Sequence, residues 1–361
     1  MKKLFSNIII LGLLAAAISV FVSWFFPIYW GDNIQLTKIN HYKQKPNQYN
    51  ALFFGGSLEY RHVSPEIIKS ELAKKQIYLN GFNFGVDSHN FIQAITEADY
   101  VYDHYKNDSL KYIFVSLSTE AYLSYQNLHT NKLICWMKAS TIDKLLSVLY
   151  YQTDHLAFRL FCARGYLMSW GENAFNFGKL KDKIKYLKIK NDIDTISLGK
   201  NLDGFVPLEL NEKGQVANPE TEISKYVLMV STIEYKKRAD SANWFNDTIF
   251  KTYFDANLHA KDKDVDYLYS LCDNMIKKYA AKGIKVIFYL PARVPFGYTQ
   301  QMTVYKRLPE ENKFDLANPI KYPEFYETKY GFDNFHLNKA GAELYSYQFA
   351  KELEKLIAPS P

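Results

Sequence analysis

Two stretches of this chain, residues 51–118 and 263–357, alternate short apolar runs with amphipathic helical patterns. This alternation constrains the fold more than any other feature. A strand, a helix and a second strand close as a right-handed crossover and leave the two strands parallel. The expected fold is therefore α/β, three α/β/α layers around a mostly parallel sheet. The expected strands are 51–54 ("ALFF"), 76–85 ("QIYLNGFNFG"), 111–118 ("KYIFVSLS") and 284–291 ("IKVIFYLP").

Local signals place the helices between them. Ser64-Pro65-Glu66 reads as N-cap, first helical position and first-turn acid. Residues 88–106 put Phe91, Ile95, Ala98 and Tyr102 on one face. Residues 263–281 do the same with Val265, Leu268, Leu271, Met275 and Tyr279, and Gly283 is the stop signal. A closing helix follows "HLNKAGA", with Asn338 as its cap.

From about 125 to 260 the alternation disappears. Residues 141–170 read as helical, 179–190 as a lysine-rich run and 201–220 as turns with a hairpin. This region is expected to be a large insertion into the α/β domain, 51–361. Its aromatic-rich surface suits a lid, a glycan-binding face or a docking face for a membrane partner. The lysine run suits a solvated face, or a surface for an anionic envelope polymer.

The N-terminus carries Lys2 and Lys3 and then no charged residue before Asp32. Ile8 to Phe26 is almost wholly apolar, close to the roughly 20 residues that cross a bilayer as a helix. Trp24 and Trp30 fall where interfacial aromatics lie. A cleaved signal peptide normally has a shorter apolar region followed by small residues, whereas large aromatics follow here. Residues 1–30 are therefore expected to be an uncleaved transmembrane anchor. The lysines would stay in the cytoplasm, and everything after the polar linker 31–50 would lie outside it.

The net charge of +6 over 361 residues is spread along the chain and forms no nucleic-acid footprint. The three cysteines, Cys135, Cys162 and Cys272, form no CxxC pair. Cys135 and Cys162 could pair outside the cytoplasm; otherwise all three are buried thiols. No metal-ligand spacing, P-loop or GxGxxG occurs.

In a parallel sheet, ligands bind at the carboxyl ends of the strands. Ser57 directly follows the first expected strand, Gly85 the second, and Ser118 and Thr119 the third. A serine alone is as easily a turn residue as a nucleophile. A nucleophile needs a base, and the base needs a carboxylate to hold its tautomer. Asp333 and His336, three apart before the last helix, supply that pair. Arg61 and His62 follow Ser57 and could face the cleft or solvent. Glu120 could bind substrate or form an ion pair.

Taken together, "FFGGSLEY", "FNFGVDS" and "DNFHLNKAGA" resemble the blocks of the SGNH (GDSL-type) hydrolase superfamily. The resemblance covers roughly 50–125 and 262–357. It implies a flavodoxin-like sheet, Ser57 as nucleophile, His336 as base and Asp333 as its orienter. It also implies that the N–H groups of Ser57 and Gly85 are oxyanion donors. Two departures stand out. Gly55-Gly56-Ser57 replaces the usual Gly-Asp-Ser, and "SLSTEAY" lacks the usual third-block Asn. Ser118 or Thr119 could donate a hydroxyl in its place, or that donor is absent.

The chain looks most like the membrane-anchored, extracytoplasmic group that includes the teichoic-acid D-alanyl transfer protein and the alginate O-acetylation proteins. That likeness implies an esterase or O-acyltransferase acting on acyl esters, acetyl above all, of an envelope polysaccharide. It implies a membrane-bound O-acyltransferase as partner, and no metal or organic cofactor. The competing expectation is a non-catalytic assembly factor that binds a glycan or that acyltransferase. A secreted lipase-like enzyme would require cleavage of the N-terminal segment.

Overall fold

The computed structural model describes residues 2–25, 31–117, 130–137, 139–152, 156–175, 180–209, 265–292, 298–332 and 336–358. The chain divides into two compact units, residues 1–40 with 122–193, and residues 41–121 with 194–361. The first contains the start of the expected insertion, which rejoins the sheet-bearing unit at 194 rather than near 260.

In chain order the elements are α1 (Lys2–Phe25), α2 (Asn33–Tyr42), β1 (Ala51–Phe54), α3 (Ser57–His62), α4 (Pro65–Ala73), β2 (Gly81–Asn83), α5 (Phe91–His104) and β3 (Tyr112–Ser116). Then come α6 (Asn131–Ile134), α7 (Ala139–Gln152), α8 (Leu156–Ala174), α9 (Leu180–Ile189) and α10 (Thr195–Leu198). The chain closes with α11 (Asp266–Ala280), β4 (Lys285–Leu290), α12 (Tyr298–Arg307), β5 (Lys313–Asp315) and α13 (Lys339–Ile357).

The five strands are all parallel, in the order β2-β1-β3-β4-β5. This is the flavodoxin-like strand order. All four residues of β1 are buried, because both faces of the sheet are covered. On one face Phe53 stacks on Phe114 at 4.7 Å, and Phe349 of α13 meets both rings edge-on. Ile68 and Leu72 of α4 join the same cluster. On the other face Phe54 stacks on Phe84 at 5.0 Å, while Phe91 of α5 meets Phe288 of β4. Helices on both faces are what a three-layer α/β/α arrangement requires.

The chain winds from β1 to β2 in one direction and from β1 past β3 in the other. The order therefore reverses between β1 and β3, where connections leave toward opposite faces and open a crevice at the carboxyl ends. Ser57 follows β1 at that place.

Several local expectations hold. Ser64 caps α4 with Pro65 at its first position, and Gly283 closes the turn after α11 at φ 73°. The expected helix over 88–106 forms as α5, and it starts with a capping box of Asn90 and Gln93 that the sequence reading did not name. Other details differ. Residues 31–50 are not a plain linker, since they contain α2, with Leu36, Ile39 and Tyr42 buried. Their three-residue spacing is a helical stripe within a polar composition. The second strand shrinks to Gly81–Asn83, because Gln76 turns at φ 61° and Ile77 N–H still bonds the Leu72 carbonyl. On α11 the buried position is Cys272, not Leu271. Residues 201–209 of the expected hairpin form no strand, and 210–220 lie outside the described residues. The short β5 and α12 had no signature in the alternation.

In the other unit, α7 and α8 replace the single helical stretch, and the lysine run forms α9. No disulfide joins Cys135 to Cys162; both, with Cys272, are buried thiols. The N-terminal segment is helical from Lys2 to Phe25. Its side chains are described from Lys3 to Ser19 and at Phe21. Among the described residues, no helix is long and apolar enough to cross a membrane.

Candidate active site

The turn that carries Ser57 depends on a glycine. A Cβ on Gly55 would stand 2.8 Å from Glu59 Cβ and 3.0 Å from Ser116 Cβ, so strand and helix meet only because that position is bare. Gly56 is the extended N-cap residue of α3, and Ser57 is the first residue of the helix. Amides of a first helical turn have no partner within the helix, so the Ser57 N–H is left for other acceptors. The Ser57 side chain is half-buried, at the mouth of the sheet.

His336 arrives from the far end of the chain. Its Nε2 lies 2.8 Å from Ser57 Oγ, across 279 residues. Among the described residues a small closed loop presents it. Gly331 and Leu337 pair antiparallel, Phe332 N–H donates to the His336 carbonyl at 2.8 Å, and Asn338 N–H donates to Tyr330 at 2.9 Å. Asn338 then caps α13 by accepting the Gly341 N–H at 2.9 Å, as the sequence suggested. A Cβ on Gly341 would come within 2.4 Å of the Tyr330 carbonyl, so the helix start and the loop can touch only at a glycine.

The loop that carries His336 is also tied to α3, the helix that carries Ser57. His62, the last residue of α3, is fully buried, and its Nε2 accepts the Leu337 N–H at 2.9 Å. A backbone amide only donates, so this bond fixes Nε2 as the acceptor and puts the ring proton on Nδ1. The ring stands edge-on to Tyr345 at 5.6 Å, and the Ser346 hydroxyl donates to the His62 carbonyl at 2.9 Å. One six-residue helix therefore carries Ser57 at its start and anchors the neighbour of His336 at its end.

Asn83, the last residue of β2, fixes α3 from below. Its Nδ2 donates to the carbonyls of Glu59 at 2.7 Å and Val63 at 2.8 Å, and its Oδ1 accepts the Gly85 N–H at 2.7 Å. The Glu59 carbonyl also accepts the Val63 N–H at 3.2 Å, so Asn83 supplies it with a second bond. Gly85 is not a positive-φ turn residue. It must be glycine because a Cβ would lie 2.4 Å from Tyr60 N. The Gly85 amide is engaged by Asn83, so it reaches an oxyanion only by exchanging that bond.

Arg61 does not face the cleft as a spare cation. It pairs with Asp87 at 2.7 Å, donates to the Val206 carbonyl at 3.3 Å and lies over the Tyr60 ring. Asp203 ties the same segment to α4 and β2: its Oδ2 accepts Glu66 N–H at 3.2 Å and its carbonyl accepts Asn83 N–H at 2.8 Å. Burial pushes the Asp203 carboxyl up to about 6, against the backbone hydrogen bonds that pull it down.

The structure thus brings Ser57, His336 and Gly85 together at the carboxyl end of β1 and β2. Asp333, Ser118, Thr119 and Glu120 lie outside the described residues. Sequence reasoning missed Asn83 and left His62 between cleft and surface. Neither had a readable signal, because both act through bonds to residues distant in the chain. Chemically, a hydroxyl hydrogen-bonded to an imidazole at a helix start is the arrangement that activates a serine. No family model, no curated protein and no solved structure matches this chain.

Proposed function

We propose that this protein is an SGNH-like serine esterase or O-acyltransferase. The observation that carries the reading is the 2.8 Å approach of His336 Nε2 to Ser57 Oγ. Ser57 attacks an ester carbonyl while His336 takes its proton. The tetrahedral oxyanion is held by the Ser57 N–H, and by the Gly85 N–H once it releases Asn83. His336 returns the proton to the leaving alkoxide, and an acyl-enzyme remains. Water, or a sugar hydroxyl activated by His336, then attacks the acyl carbon and regenerates Ser57. Asp333, three residues before His336, is the proposed orienter of the imidazole. Ser118 or Thr119 is the proposed third-block donor.

The substrate class proposed from the resemblance is an acyl ester, acetyl above all, on an envelope polysaccharide, with a membrane-bound O-acyltransferase as the partner. The domain is proposed to lie outside the cytoplasm behind an N-terminal anchor, residues 1–30; this rests on the apolar sequence, since among the described residues no helix is by itself long and apolar enough to cross a membrane. Supporting this, Ile8, Ile9, Ile10 and Leu11 are consecutive and all exposed, so α1 presents apolar side chains on every side. The engagement of the Gly85 amide favours one other reading, a non-catalytic assembly factor that keeps the fold and binds a glycan.

The test is labelling of the purified full chain by a fluorophosphonate probe, beside Ser57→Ala and His336→Ala. Wild type is expected to label, and both variants to lose labelling. A well-folded wild type that does not label would move the assignment to the binding factor.

A further inference from the structure

We infer that the inserted unit rests on the lipid bilayer through α8, with the lysines of α9 at anionic headgroups. This inference relies on the proposed anchoring by α1 and extends it to a second contact. α8 has two unlike faces. Cys162, Gly165, Tyr166 and Ser169, spaced as one helical stripe, are buried. The outward row is Leu156 at 66 % exposure, Leu160 at 62 %, Phe161 at 55 %, Leu167 at 52 % and Met168 at 45 %. Arg164 is the one charged residue on that row. Soluble surfaces scatter exposed apolar side chains singly, and a continuous row marks contact with something apolar.

Two observations identify the covering medium as lipid. First, α8 contacts α1 within the same unit, and Ser19 of α1 donates through its hydroxyl to the Phe175 carbonyl just past the end of α8. α1 exposes apolar side chains around its whole circumference, which a groove on one protein cannot cover but a surrounding solvent of acyl chains can. α8 runs beside it and meets that medium. Second, α9 exposes Lys181, Lys185 and Lys188 in an i, i+4, i+7 row beside exposed Ile184 and Leu187. A basic amphipathic helix of this kind settles at anionic headgroups. Arg164 then lays its aliphatic stem along the α8 row and puts its guanidinium among phosphates, as an interfacial helix allows.

The experiment uses the full chain in vesicles of neutral and anionic phospholipid. A fluorophore is attached at Leu160→Cys or Leu167→Cys, with Ile10→Cys reporting α1 and Tyr78→Cys, in the other unit, reporting water. The native thiols are buried, and the unsubstituted chain supplies the labelling blank. Nitroxide on the acyl chains is expected to quench positions 160 and 167 at least about threefold more than position 78, with aqueous iodide giving the reverse order. Lys181→Glu with Lys185→Glu and Lys188→Glu is expected to weaken lipid quenching at 160 but not at 10. Iodide quenching at 160 and 167 with lipid quenching kept at 10 overturns the inference and leaves the anchor standing. Protection of 160 and 167 from both quenchers also overturns it, in favour of a protein cover. Iodide quenching at all four positions overturns the anchor as well.

Discussion

The imidazole of His62 accepts the amide of Leu337 at 2.9 Å across 275 residues of chain, one residue away from His336, whose ring meets Ser57. Removing the acceptor strands a buried N–H, which costs about 1–3 kcal/mol. His62→Phe keeps a ring beside Tyr345 and loses the bond to Leu337. We expect it to destabilise the sheet-bearing unit by that amount in urea unfolding. It should also slow fluorophosphonate labelling of Ser57 by about tenfold at a denaturant-free pH of 7.5, a loss of roughly 1.4 kcal/mol in positioning. Unchanged labelling would show that the His336 loop holds its place without His62.

Asn83 makes three buried bonds at once, so it is expected to be the costliest polar position near the site. Asn83→Ala removes the amide that donates to the Glu59 and Val63 carbonyls and the acceptor of the Gly85 N–H, for an expected loss of roughly 2–4 kcal/mol. Asn83→Asp keeps the acceptor but faces two carbonyls with a carboxylate, and should unfold at lower urea than Asn83→Ala. Chemical denaturation of the two variants side by side gives the order directly.

Gly85→Ala tests sterics against backbone freedom. Because Gly85 does not use positive φ, the penalty comes from sterics: the new Cβ would lie 2.4 Å from Tyr60 N, 2.8 Å from Glu59 Cβ and 2.9 Å from Asn83 Oδ1. The helix bearing Ser57 has to shift. The expected result is a loss of about 1–3 kcal/mol and a fall in Ser57 labelling per folded molecule. A variant that unfolds like wild type and labels at the same rate would contradict the close approach.

Asp203 makes stability depend on pH. Its folded-state pKa is raised from 3.8 to about 6, so between those values the folded chain binds more protons than the unfolded one. Stability contributed by this group is therefore greatest below pH 4, declines as pH rises from about 4 to 6, and is flat above. The full swing is on the order of 3 kcal/mol. Asp203→Asn should remove this slope. Urea midpoints of wild type and variant at pH 4, 5, 6 and 7 isolate it, since every other titrating group is common to both. Parallel curves would place the Asp203 carboxyl in a more polar setting.

How far the sequence reaches can be judged residue by residue. Ser64-Pro65, Asn338 and Gly283 were legible because a cap or a helix stop is decided within one turn of chain. β1, β3 and β4 were legible for a similar reason, since continuous apolarity demands cover on both faces, whereas β2 was placed only within a ten-residue stretch that shrank to three. The three-residue β5 was too short to carry such a pattern. α2 was hidden because its stripe of Leu36, Ile39 and Tyr42 lies in a polar stretch. The pairing of Ser57 with His336 was expected from chemistry and chain order, and their contact is in the structure.

By itself the sequence determined the α/β class, the strand ends that place Ser57 and Gly85, and the residue types that the proposed site uses. These are local or periodic properties, written in neighbouring residues. Only the tertiary structure decided that the strands run in the order β2-β1-β3-β4-β5, which opens the crevice beside Ser57. It also decided that His62 holds the loop bearing His336 and that Asn83 holds both α3 and the Gly85 amide. Those roles rest on single buried hydrogen bonds between residues far apart in the chain. Such a bond is set by the requirement that every buried donor and acceptor be satisfied, a condition that exists only once the chain has closed on itself.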